Sequence, residues 1–150
     1  MYRRRIPADT IQTAVVRVGL RQIKDMALGL CSKSLFNRVD ETQKHVWEHS
    51  MASALAAQTL ADLWGECKHA FVAGLMHDVG RVVLTTAFPE RFAAAIELSF
   101  EKDIPSWEAE KEEFSFSHAE VGSLLANRWR VDPQIADAIY WHHDYAQAEK

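Results

Sequence analysis

The sequence predicts an all-α protein, and three observations carry that expectation. Apolar residues recur at spacings of three and four, and no window alternates with period two for long enough to make a strand. Helix-start signals recur along the chain, among them Pro89, Pro105–Ser106, Ser117 with Glu120, and Asp132–Pro133. Only six Gly and four Pro occur, too few for a many-turned β-sandwich.

A first short helix is expected from Asp9, through Ile11, Val15 and Val18, to Gly19. A second is expected from about Arg21 to Phe36, burying Ile23, Met26, Leu30 and Leu35. A third should run from Thr42 to Trp64 and stop at Gly65. A fourth should start near Glu66, carry Phe71, Val72, Leu75 and Met76, and kink at Gly80 before Val82, Val83 and Leu84. Pro89 should start a helix through Phe92, Ile96 and Leu98. Pro105–Ser106 should start an acidic one, with Glu108, Glu110, Glu112 and Glu113 near its N-terminus. The capping box of Ser117 and Glu120 should open a helix ending near Trp129, and Asp132 should cap the last. That makes a bundle of about eight helices, with no repeat and no linker.

The 150 residues amount to one domain, able to fold without a disulfide or a structural metal. The net charge of −4 conceals an asymmetry. Residues 1–44 hold nine Lys/Arg against four Asp/Glu, and residues 45–150 hold eight against seventeen. No basic stripe interleaved with aromatics follows, so nucleic acid is not the expected partner. No apolar run approaches a membrane span, and MYRRRIP lacks a signal's apolar core, so a soluble cytoplasmic protein is expected. Cys31 and Cys67 stand apart and read as small buried hydrophobes. The five tryptophans, Trp47, Trp64, Trp107, Trp129 and Trp141, read as core or rim packing.

The histidines carry the chemistry. His77 and Asp78 adjoin in an apolar stretch, AFVAGLMHDVGR, whose helix should be buried. A buried Asp is costly unless a metal or a cation pairs with it. His49 is the expected second-helix ligand, and His142–His143 form another adjacent pair at a helix end. Imidazole and carboxylate together suit iron, manganese, zinc or nickel. His45 and His69 read as surface residues, and Arg81 as an ion pair to Asp78 or a phosphate contact.

The segments WEHS (47–50), AGLMHDVGR (73–81), FSHAEVG (116–122) and RWRVDPQIADAIYWHHD (128–144) resemble the HDOD domain of bacterial signalling proteins. TAVVRVGLRQIKDMAL (13–28) resembles it too. This family is a branch of the HD metal-dependent phosphohydrolase superfamily. The resemblance implies metal-ligand roles for His49, His77 and Asp78, and for His118, His142 and His143. One or two divalent ions (Fe, Mn, Zn, Ni or Mg) are the implied cofactors. The distant Asp ligand of the superfamily has no secure match, with Asp132, Asp137 and Asp144 as alternatives. After HHD the chain reads YAQAEK, without the Gly-Tyr-Pro segment of the HD-GYP phosphodiesterases. The family's N-terminal helices have no counterpart, so an uncovered face at Ile11, Val15 and Val18 should cause self-association or a disordered N-terminus.

Two functions follow as expectations. The first is a non-catalytic bacterial signalling output domain, active through other signalling proteins or domains or through a homo-oligomer, with a degenerate metal pocket. The alternative is a metal-dependent phosphohydrolase acting on a nucleotide or cyclic nucleotide.

Overall fold

The computed structural model describes Gly19, residues 41–65 and residues 67–148, with side chains from Lys44 onward. The described residues form seven α-helices and one 3-10 turn, without a strand. They are α1 (Glu41–Trp64), α2 (Ala70–Met76), α3 (Val79–Ala87), α4 (Pro89–Lys102), α5 (Ser106–Phe114), α6 (His118–Arg128) and α7 (Pro133–Trp141), then the turn Tyr145–Gln147. The two helices expected before residue 41, Cys31 and the apolar face at Ile11, Val15 and Val18 lie outside the described residues. No described helix is long and apolar enough to cross a membrane.

Three helix starts fall where capping chemistry puts them. Pro89 and Pro133 stand at helix starts. The Asp132 carboxylate accepts from Gln134 N at 3.0 Å. Ser117 N donates to Glu120 Oε2 at 2.6 Å in the expected capping box.

In the bundle of about eight helices, six were expected from residue 41 on, and the described residues form seven, because the segment expected to kink at Gly80 is two helices, broken earlier at His77–Asp78. Asp78 sits at φ −98°, ψ 11°, in the bridge region between helix and strand. The first half also starts later than Glu66, at Ala70. Gly80 serves a different purpose. A Cβ there would lie 2.0 Å from the carbonyl oxygen of His118, so only glycine lets α3 pass this close to α6. Gly74 does the same for α2 on α1, where a Cβ would meet Ala54 Cα at 2.8 Å. These crossings bring the helix ends that carry histidine into one place.

Three apolar clusters hold the bundle. Ala54, Phe71 and Leu75 join α1 to α2. Leu84, Phe92, Ala95 and Phe114 join α3, α4 and α5. Ala126, Ile135, Ala136 and Ile139 join α6 to α7. Two expectations fail at the surface. Cys67 is exposed, because it lies in the loop before α2 rather than inside a helix. Trp64 is 76% exposed at the last position of α1, so it neither fills the core nor lines its rim. Trp129 is also largely exposed.

Candidate metal centre

All six residues named as ligands meet in one cluster around Asp78. Asp78 lies in the α2–α3 break, where its side chain is nearly buried. Its two oxygens face two groups of imidazoles. On one side, Asp78 Oδ2 lies 3.5 Å from His77 Nε2 and 3.8 Å from His49 Nε2, and the two rings approach each other at 3.1 Å. On the other, Asp78 Oδ1 lies 3.1 Å from His118 Nε2 and 3.7 Å from His142 Nε2. His118 Nε2 is 3.2 Å from His142 Nε2 and 2.9 Å from His143 Nε2. The donors thus form a group of three (His49, His77, Asp78) and a group of four (Asp78, His118, His142, His143) that share the carboxylate.

Donor atoms ~2.1 Å from a common ion lie ~3.0 Å apart at octahedral angles and ~3.4 Å apart at tetrahedral ones. The observed separations, 2.9–3.8 Å, straddle those values. The ring orientations agree with that. His77 Nδ1 donates to Gly74 O at 2.8 Å, and His142 Nδ1 donates to Ile139 O at 2.7 Å. His118 Nδ1 donates to Glu110 Oε2 at 2.6 Å. With Nδ1–H committed outward, the Nε2 lone pair of each ring points into the cluster. A single proton on His118 Nε2 can serve one neighbour only, and it leaves the His142 and His143 lone pairs confronting it. A divalent cation would satisfy all four donors together, so the residues fit such an ion.

The electrostatics prepare the rings as ligands. Burial pushes the His142 pKa down to about 4 and that of His143 down to about 3, aided by neighbouring imidazoles. His77 is also lowered by burial. Neutral imidazole is the form that binds metal. His118 is the exception: burial acts to lower its pKa, but hydrogen bonds with Asp78 and Glu110 raise it. Burial acts to raise the Asp78 pKa, yet the His118 hydrogen bond and the Arg81 charge hold it well below the usual carboxylate range.

Arg81 borders the cluster. Its Nε lies 3.3 Å from Asp78 Oδ1, which bears out the ion pair by distance, but at an angle that makes no hydrogen bond. A terminal nitrogen donates to Ser106 Oγ at 2.7 Å. A cleft of ≈ 390 Å³ opens onto His45, Val46, His49, His77, Asp78, Arg81 and His143. His45 is exposed, as expected, and lies 3.7 Å from Glu48. His69 is half-exposed and pairs with Asp132 at 3.4 Å.

The alternatives for a distant Asp ligand lie elsewhere. Asp132 caps α7, Asp137 is exposed, and Asp144 precedes the 3-10 turn. The side chain that the sequence reading missed is Glu110. It is fully buried and binds both Nδ1 and the backbone N of His118. Its signal was positional: Glu110 stands one turn before Phe114, on the buried stripe of α5 that also carries Ala109.

Residues 1–145 match the HDOD domain family. The chain belongs to the HDOD family. It is similar in fold to an HDOD domain protein of unknown function from Geobacter sulfurreducens, at 31% identity and a TM-score of 0.84, over 97% of this chain and 50% of that one. It is also similar to a candidate phosphohydrolase from Shewanella amazonensis, at 25% identity and a TM-score of 0.75, over 94% and 53%. An uncharacterised Treponema pallidum protein is 29% identical over 92% of this chain and 28% of its own length. Ribonuclease Y of Campylobacter curvus is 25% identical over 91% and 21%. This HDOD chain thus spans about half of those solved neighbours and under a third of those relatives.

Proposed function

We propose that this HDOD chain is a metal-dependent phosphohydrolase domain of a bacterial, cytoplasmic signalling protein. Asp78 would bridge two divalent ions, one held with His49 and His77 and the other with His118, His142 and His143. The observation that carries this reading is the outward commitment of three Nδ1 protons, which turns three Nε2 lone pairs on Asp78 from two sides. The expectation of a degenerate pocket rested on the missing distant Asp, and the three histidines from α6 and the end of α7 supply donors in its place.

Divalent ions in such a site supply Lewis acidity and a nucleophilic water at neutral pH. The protein's own part is access and charge. Both groups reach the cleft, one through His49 and His77 and the other through the exposed His143, so a phosphoester can approach the shared carboxylate from there, while His118 stands buried behind it. Arg81, anchored by Ser106, presents a fixed guanidinium at the cleft wall, suited to a phosphate oxygen. Similarity to a candidate phosphohydrolase supports the same class.

A second reading, a non-catalytic output domain working through other signalling proteins or through self-association, is favoured by one observation. The Asp78 carboxylate lies 3.3 Å from the Arg81 guanidinium and 3.1 Å from His118 Nε2, neighbours that can compensate it without any ion. Metal analysis by mass spectrometry, followed by assays with p-nitrophenyl phosphate and bis-p-nitrophenyl phosphate under manganese, iron, nickel, zinc or magnesium, separates the two. We expect two ions per chain and turnover abolished by EDTA. Bound metal with no turnover on any phosphoester supports the output reading. Absence of both overturns the proposal.

A further inference from the structure

Helix α5 contributes no donor to the cluster, yet three of its side chains hold parts of the site. Ser106 Oγ accepts from Arg81. The Trp107 ring stacks on His143, with centroids 5.7 Å apart and planes 18° from parallel. Glu110 Oε2 accepts from His118 Nδ1 at 2.6 Å and from His118 N at 2.7 Å. Residues 106, 107 and 110 share one face at helical spacing.

Glu110 is the one whose presence packing cannot explain. It is fully buried, and its Oε1 has no hydrogen-bond partner. An apolar side chain would fill that space without the cost of a buried charge. Both hydrogen bonds of Glu110 go to His118, so the compensating positive charge must come through that residue. The other two rings with a committed Nδ1, His77 and His142, donate to neutral backbone carbonyls. His118 alone among these three donates to a carboxylate.

We infer that Glu110 is a positioning residue for the ion of the four-donor group: it fixes the His118 ring with Nε2 inward and, by its charge, makes that imidazole a stronger donor than its partners. The inference rests on the metal reading of the cluster. Carboxylate partners of ligating histidines orient the ring and raise its basicity, and their loss costs 10–100-fold in metal affinity. The four-donor group should therefore bind its ion more tightly than the three-donor group.

Glu110→Gln tests the charge apart from the shape. A glutamine carbonyl oxygen can still accept both hydrogen bonds, so a purely structural role survives the substitution. Cobalt(II) titration followed by visible absorption would read both sites. We expect two cobalt ions in the parent, and in Glu110→Gln a 10–100-fold weaker affinity with an altered spectrum at one site only. The melting temperature in EDTA should change little. Equal affinities and spectra in parent and variant would overturn the inference. A parent that binds no cobalt overturns the metal reading itself, and this inference falls with it. If Glu110→Gln does not fold, NMR of the cadmium-loaded parent decides instead. Cadmium coupling at His118 Nε2, with a hydrogen-bonded proton retained on Nδ1, is expected. Coupling at Nδ1, or no coupling to His118, would overturn it.

Discussion

His49 and His118 both present Nε2 to the Asp78 carboxylate, yet one side chain is 60% exposed and the other fully buried. The difference runs through both halves of the cluster. The His49–His77 half has three donors, and its most exposed one, His49, lines the cleft. The His118 half has four, backed by Glu110 and by Trp107 stacked on His143. A shell with more donors and more supporting contacts suits an ion that stays, and a sparser, more exposed one suits an ion that exchanges ligands. In the proposed function His118, His142 and His143 would hold the more firmly bound ion with Asp78, and His49 and His77 would hold the one nearer the open cleft.

The largest expected effect comes from the residue both halves share. Asp78→Asn removes the bridge from each, so metal content should fall from two ions towards none and turnover by more than ~100-fold, beyond the cost of losing a supporting residue. Mass-spectrometric metal analysis and the phosphoester assays read both quantities. A variant that keeps two ions would dissolve the two-halves description.

A smaller effect distinguishes the halves by stability. His118→Ala strips Glu110 of its partner and leaves a buried carboxylate unpaired, which should destabilise the metal-free protein by about 3 kcal/mol. His49→Ala, at an exposed position, should cost under ~0.5 kcal/mol while losing one ion. Urea unfolding in EDTA gives both numbers. Equal losses for the two variants would mean that the halves are not differently built.

The parts of this arrangement that were legible in the sequence are those encoded by residue type and spacing. The caps at Ser117 and Asp132 are local hydrogen bonds, and they form as read. His77–Asp78 and His142–His143 stood out as adjacent pairs at helix ends, and His49 as the partner a second helix had to supply, whereas His118 was named only through the resemblance to the family. Glu110 stayed hidden because Glu108, Glu112 and Glu113 surround it, and an acidic run on a helix reads as a solvated face. Its burial is set by α6 docking on α5, a tertiary fact. The break at His77–Asp78 was misplaced to Gly80 for a similar reason. Glycine signals either a bend or a close approach, and only the position of the His118 carbonyl distinguishes them.

The smallest effect concerns pH, and it gives the two kinds of histidine opposite signs. His142 and His143 have lowered pKa values, about 4 and about 3. In acid the unfolded chain takes up protons near 6.5 while the folded rings stay neutral, so their contribution is full above 6.5 and is lost as pH falls. His118 has a raised pKa, so its contribution is full below 6.5 and is lost as pH rises through the folded value. The metal-free protein should therefore be most stable near pH 6.5. The fall towards pH 4.5 should be on the order of 1 kcal/mol once solvent screening is allowed for, or about 3 °C in melting temperature. Thermal melts in EDTA from pH 4.5 to 9 test this, and His142→Asn should flatten the acid limb alone. Saturating zinc should remove the alkaline limb, because an ion in place of a proton then occupies His118 Nε2. Stability that keeps rising below pH 6 would show that the buried half is held by protonated histidines, and the contrast between the halves would then have to be drawn differently.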